Sequence, residues 1–282
     1  MDRRRLEEAV FRGLMLASTF IVVGALLAVI AVVVLRGVPA LSLSMLSQTP
    51  KGGYYLGKEG GILNAIVGSL YLAGGATAVA LATSLPIALY LGEYAGKSRL
   101  ASFARLSFDI SWGVPSIVYG IFGFTIMLSM RIQASLLGGM ITLALFELPL
   151  MVRAMDEVLR TVPFELKETA YALGATRLET VFKIMARQAL PGILTAVLLA
   201  FGRGIGDAAS VLFTAGYSDY IPNSFSDPAA TLPLAILFQL ATPFPEVQTR
   251  AYASAAILMV LFLSLSIASR LLAKKLTRYV IR

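Results

Sequence analysis

Four stretches of this chain, at residues 13–35, 60–92, 110–130 and 251–269, contain no Asp, Glu, Lys or Arg. A helix crosses the hydrocarbon core of a bilayer in about 20 apolar residues, so each run is long enough to span or nearly so. Lipid offers no partner to a bare peptide group. A spanning segment must therefore satisfy its own backbone, and a helix does this within one segment. Two further apolar runs carry charge: 132–152 contains Glu147, and 188–215 contains Arg203 and Asp207. Only 14% of the chain is charged and its mean hydropathy is +0.79, whereas a soluble domain carries roughly a quarter charged residues. The reading is an all-α membrane protein with one transmembrane domain over residues 1–282. Its six transmembrane helices lie near 13–35, 62–91, 107–130, 133–153, 189–215 and 250–271.

Basic residues orient these spans, because cytoplasmic loops retain Lys and Arg. Arg3, Arg4, Arg5 and Arg12 precede the first span. Lys97, Arg99 and Arg105 lie between the second and third. Arg153, Arg160, Lys167, Arg177, Lys183 and Arg187 lie between the fourth and fifth, and Arg270, Lys274, Lys275, Arg278 and Arg282 close the chain. Together they place 18 of the 24 basic residues on one side, so both termini are expected in the cytoplasm of a multi-pass inner-membrane protein. This asymmetry accounts for the net charge of +8, and no nucleic-acid partner is needed. The chain has no Cys and no His, which removes disulfides, thiol chemistry and the commonest metal ligand. Neither a metal site nor a catalytic residue is expected. The first span exceeds the 7–15 apolar residues of a secretion signal and reads as an uncleaved anchor.

Between the spans, residues 1–12 form a basic lead and 36–59 an outer loop rich in turn formers. Residues 93–105 form an inner loop, 131–135 a tight outer turn, 154–188 a large inner loop and 216–250 a large outer loop. Residues 232–241 predict a short helix lying at the outer surface or capping the pathway. The inner turn Gly92-Glu93-Tyr94-Ala95-Gly96-Lys97-Ser98 has the look of a phosphate-binding loop. It has three residues between its glycines where that loop needs four, and it follows a membrane helix, not a strand. It is read as a basic turn, and the chain is not expected to hydrolyse ATP.

The large inner loop is long, polar and patterned. Glu165 to Leu173 predicts a helix, begun by Pro163 and ended at Gly174, where a left-handed residue is easily placed. Thr176 with Glu179 three residues later has the spacing of a capping box opening a second helix. This helix–turn–helix could lie on lipid headgroups or dock a partner. The charges inside the membrane also carry two readings. Arg203 and Asp207 are four apart and would share a helix face. They form either a self-neutralised pair that helps helices pack, with Gly202 and Gly206 easing the approach, or an anion site whose guanidinium fork matches an oxyanion. Intramembrane charge is functional by default, which favours the second. Arg153 either snorkels to the inner surface or is a second cation on the same route, with Glu147 nearby. Asp109 reads as an interfacial charge.

The inner loop resembles the cytoplasmic loop of permease subunits of binding-protein-dependent ABC importers. Glu168, Ala170, Gly174, Ile184 and Pro191-Gly192 match that pattern; Thr169 and Arg187 depart from it. Further strings resemble one subfamily, the A-type permease of the phosphate-specific importer. These are residues 60–69 at the start of span two, 114–123 in span three, 148–153 at the end of span four, and 203–207 with 212–215 in span five. Asp207 stands where the family usually has glutamate. The resemblance implies a type I ABC importer permease fold with a cytoplasmic coupling-helix loop, engaging an ATPase through Glu168, Thr169, Ala170, Gly174 and Ile184. It implies a substrate route lined by Arg203, Asp207, Arg153 and Glu147. The implied partners are a C-type permease, an ATPase dimer that uses ATP and Mg, an extracytoplasmic phosphate-binding protein, and lipid. Sulfate, molybdate or tungstate as cargo, or a stand-alone anion channel, are the competing expectations.

Overall fold

The computed structural model describes residues 3–51, 59–96 and 98–276. Lys58, Lys97, Arg278, Arg282 and the glycines of the outer loop at 52, 53 and 57 lie outside the described residues. Helix α1 (Arg3–Gly37) is followed by a 3-10 turn, the short α2 (Leu43–Ser47) and a two-stranded antiparallel pairing of Pro50–Lys51 with Glu59–Gly60. α3 (Leu63–Glu93), α4 (Arg99–Trp112), α5 (Ser116–Ser129) and α6 (Leu136–Arg160) follow. The next stretch holds α7 (Phe164–Ala172), the single turn α8 (Arg177–Glu179), a π-helical turn over Thr180–Met185 and α9 (Ala186–Ile205). α10 (Leu232–Leu240) and α11 (Pro245–Leu276) complete the fold.

Among the described residues, five helices are long and apolar enough to cross a membrane, and the bent pair α4–α5 makes a sixth if counted as one span. Span three is therefore not one straight helix over 107–130: its halves meet at 100°. Pro115 causes the break. It has no N–H to donate, and its ring forces the preceding residue out of helical geometry. Residues 99–105, expected in a loop, are instead the first turns of α4, capped by the Ser98 side chain, which accepts from the Ala101 N–H at 3.2 Å. Span five is also shorter than 189–215, since α9 ends at Ile205 and the chain turns through 206–215.

The core is the contact of α6 with α3 and α9. Leu143, Met151, Met155 and Leu159 of α6 are buried against Ala76, Ala80 and Ala88 of α3 and Ala189, Ala196 and Ala200 of α9. In lipid, burial gives no hydrophobic gain, so helices associate through close contact, and small residues facing large ones allow it. α1 packs against α11 near its end and leaves most of its apolar side chains exposed. It meets α11 through Arg36, whose guanidinium lies 5.2 Å from the Tyr252 ring centre and donates to the Tyr252 hydroxyl at 3.2 Å.

The first N–H groups of a helix have no partner within it. At the start of α6 the loop that follows α9 supplies them: Ser135, Leu136 and Leu137 N–H donate to the carbonyls of Thr214, Asp227 and Phe225 at 2.9, 2.7 and 2.9 Å. α10 turns one face inward and leaves Leu237 and Leu240 exposed. Leu232, Leu234 and Ala235 are fully buried, and the Leu232 N–H donates to Ser69 Oγ of α3 at 2.8 Å. The loop is open at its tip, at Asp219, Tyr220 and 223–226, and again beyond α10 at 243–246.

Candidate functional site: a lone guanidinium and an exposed loop

Arg203 lies in the last turn of α9, half-buried, with its guanidinium carbon 4.2 Å from the centre of the Phe146 ring on α6. Phe146 meets Tyr119 of α5 edge-on at 5.6 Å, so the cation rests on an aromatic platform. A ring face attracts a cation by about 0.5–2 kcal/mol, more as water is excluded. Among the described residues, no carboxylate lies within ion-pair distance of Arg203. The expected pair with Asp207 is not made. α9 ends at Ile205 with Gly206 as its C-cap, and the turn carries Asp207 off the helix face. Its Oδ2 accepts instead from the Ser210 N–H at 2.8 Å. Short acidic side chains commonly satisfy nearby backbone where a helix stops, and here that competes with the ion pair.

Glu147 sits one residue beyond Phe146 and is fully buried. Its Oε2 accepts from Thr77 Oγ1 of α3 at 2.9 Å, while Oε1 has no hydrogen-bond partner among the described residues. Oε1 presses on the backbone of Gly204: a Cβ there would lie 2.0 Å from it. The close approach that glycine permits is thus at Gly204. A Cβ on Gly206 would meet only carbonyls of its own helix at 3.8 Å, and one on Gly202 would only touch α11 at 3.4 Å. Helices α3, α6 and α9 meet at this level, beside the Arg203 side chain.

Arg153 does not join this site. It is six residues beyond Glu147, about 9 Å along α6, and belongs to a charged cluster at the basic end. It pairs with Asp109 through Nε and lies 3.6 Å from Asp156. Asp156 is fully buried and also takes Arg160 at 3.2 Å and both Nε and Nη2 of Arg105 at 2.9 and 3.2 Å. Arg105 Nη2 further donates to the Leu91 carbonyl at 2.7 Å, tying the end of α3 to α4 and α6. Asp109, read as interfacial, is a structural partner of Arg153. Spacing could not find Asp156 and Arg105, since they converge from helices 51 residues apart in the chain.

The basic end also carries α7 and α8. Pro163 precedes α7, and Gly174 turns the chain at φ +82°, a value that side-chain-bearing residues rarely adopt. Thr176 Oγ1 accepts from the Glu179 N–H at 3.3 Å, and Glu179 Oε2 accepts from the Thr176 N–H at 3.0 Å, a complete capping box. Of the five expected partner contacts, Glu168, Thr169 and Gly174 are exposed, Ile184 is half-buried and Ala170 is buried. Ile184 lines a hollow of about 310 Å³ with Leu173, Gly174, Ala175, Glu179 and Lys183. Leu173 is 84% exposed, with Phe164, Leu178 and Phe182 also open. Such a set of apolar side chains on a polar loop marks an interaction surface. Glu93, in the stretch read only as a basic turn, holds α7. Its Oε2 pairs with Lys167 Nζ at 2.9 Å and its Oε1 accepts from the Tyr171 hydroxyl at 2.6 Å. That bond pushes the Tyr171 phenol above its ordinary pKa and keeps it a neutral donor. Lys97, from the same turn, lies outside the described residues.

The chain is 34% identical to the phosphate transport system permease protein PstA of Haemophilus influenzae over 95% of this chain and 94% of that protein. It is 33% identical to PstA 1 of Mycobacterium tuberculosis H37Rv, over 98% and 90%. In three dimensions it is similar to a chain of the inward-facing MetNI methionine ABC transporter. The TM-score is 0.62 at 17% identity, over 76% of this chain and 95% of the other. The likeness is one of fold, the type I ABC importer permease fold. The family model described as binding-protein-dependent transport system inner membrane component matches residues 84–278, and with this match, which takes in the exposed loop, the bent pair and Arg203, the chain belongs to that family.

Proposed function

We propose that this chain is one permease subunit of an ATP-driven phosphate importer, forming half of the translocation route together with a C-type permease. The observation that carries the proposal is Arg203: a half-buried guanidinium inside the helix bundle, paired with no carboxylate among the described residues. A charge in that setting costs at least about 2.5 kcal/mol, and a passing oxyanion would meet its forked donors. The neighbouring carboxylates are engaged elsewhere, Asp207 with Ser210 and Glu147 with Thr77. They do not neutralise Arg203. Phosphate as cargo follows the names of the relatives.

In this reading the basic end is cytoplasmic and both termini lie there. The exposed face of α7 with the hollow around Ile184 docks the ATPase, which binds and hydrolyses ATP with Mg; this chain carries no hydrolytic role. The open tip at 219–226 contacts an extracytoplasmic phosphate-binding protein. Closure of the ATPase pulls on α7, opens the route outward, and phosphate passes Arg203 on its way in. Arg153 is held in its ion-pair cluster and serves the scaffold of that route.

The test is uptake of labelled phosphate by cells lacking the chain and by cells with it restored, with excess sulfate, molybdate or arsenate. Loss on deletion, rescue on restoration and blockade by arsenate alone support the reading. Blockade by sulfate or molybdate moves the cargo to that oxyanion. Uptake that continues after the ATPase is removed supports a stand-alone channel.

A further inference from the structure

The exposed loop is joined to the transmembrane helices by the chain at both of its ends and by a side-chain grip. α6 leads through residues 161–163 into α7, and α8 runs through the π-helical turn Thr180–Met185 into α9, which carries Arg203. The grip is the Glu93 carboxylate at the end of α3. Both of its oxygens are used, each by a different residue of α7, and those residues are four apart and so on one face of that helix. A two-point grip fixes the angle of α7 to α3 as well as the distance. The side chains of Glu93 and Lys167 are only 10% and 14% exposed, so water competes little for the pair. Glu168 and Thr169 remain open on the loop's other side.

α3 in turn runs the length of the bundle, about 44 Å from Asn64 to Glu93 at 1.5 Å per residue. Midway, Thr77 donates to Glu147 at the level of Gly204 and Arg203. At the opposite end, Ser69 accepts from the α10 N–H of Leu232, and Asn64 Nδ2 donates to the Ser218 carbonyl at 2.6 Å. A displacement of α7 therefore has a bonded route along α3 to the Arg203 level and to the loop beyond it. The packing of α3 on α6 and α9 carries part of that motion, and the Glu93 grip adds a direct bonded tie between α7 and α3.

We infer that Glu93 is a positioning residue that makes α3 follow α7, so that α3 and α9 shift together past Glu147 when the ATPase closes. The inference rests on the importer reading above. A contact lying between two sites does not by itself show coupling, so the test must separate coupling from mere folding. The complete complex of this chain, the second permease, the ATPase and the binding protein is reconstituted in vesicles. ATP hydrolysed and phosphate accumulated are measured on the same samples. Glu93→Gln keeps the size of the side chain and removes its charge. We expect hydrolysis within about two-fold of wild type and phosphate uptake reduced several-fold, so that ATP spent per phosphate rises. The double variant Lys167→Ala with Tyr171→Phe, which leaves α3 intact, gives the same rise even if Glu93→Gln fails to assemble. The exchanged pair Glu93→Lys with Lys167→Glu recovers at least half of the lost coupling. An unchanged ratio in the variants, or uptake and hydrolysis falling in equal proportion, overturns the inference alone. A wild-type complex that moves no phosphate overturns the importer reading and the inference with it.

Discussion

At the scale of single residues, Arg203 and Gly204 are adjacent in the chain and do different work. Arg203→Gln keeps a polar side chain of similar reach without the charge. It is expected to abolish phosphate uptake while the complex still assembles, read by transport assay and co-purification; normal uptake in an assembled mutant would make Arg203 structural. Gly204→Ala is expected to disturb folding itself, because the new Cβ would lie 2.0 Å from Glu147 Oε1. Overpacking of this kind costs about 1–3 kcal/mol. Gly206→Ala is the control, since nothing but its own helix's carbonyls lies within 4 Å of a Cβ there. Thermal unfolding of the purified complex separates them: a clear drop for the first and little change for the second. Equal melting would mean that Glu147 swings aside freely.

At the scale of elements, the loop between α6 and α9 is built from local chemistry, and the basic end beside it is not. Pro163, Gly174 and the Thr176–Glu179 box lie within sixteen residues of each other and set the turn and the helix starts of the helix–turn–helix locally. The ends of α3, α4 and α6 are joined instead by one buried carboxylate serving three arginines. Asp156→Asn leaves Arg105, Arg153 and Arg160 without their shared anion. Breaking a buried pair costs about 3–5 kcal/mol; the arginines are 14%, 27% and 47% exposed, so about 3 kcal/mol is the upper expectation. Hydrogen exchange should show faster opening of α4 than of α10. If exchange in α4 is unchanged, the cluster is not what holds α4 to α6.

At the scale of the whole molecule, the two ends of the bundle present different surfaces, and the importer reading needs both. Glu168→Arg reverses the charge of an exposed residue on α7. Gly174→Pro removes the left-handed turn, because proline holds φ near −65°. Both are expected to detach or uncouple the ATPase while the membrane helices remain folded. The readouts are co-purification of the ATPase and its rate with and without substrate-loaded binding protein. An unchanged, substrate-stimulated rate in either variant defeats the assignment of α7 as the docking surface.

The chain's pattern by itself pointed to the membrane class, to the long apolar helices, of which the described residues hold five or six candidate spans, and to the loop with its turn and cap. These depend on apolar run length and on side-chain-to-backbone bonds three or four residues apart, so they are local. The resemblance of the loop and of residues 203–207 to known permeases added the fold and the importer reading. What the tertiary structure alone decided was which charges meet. An i,i+4 rule put Asp207 beside Arg203, but that rule holds only while the helix continues, and α9 stops at Ile205. Arg153 found Asp109 and Asp156 instead of the site, and Glu93 found Lys167 and Tyr171 more than seventy residues away. Burial of a charge in lipid demands a partner or a purpose. The chain can satisfy that demand only when distant helices have packed, and so the pairings appear in the fold and not in the spacing.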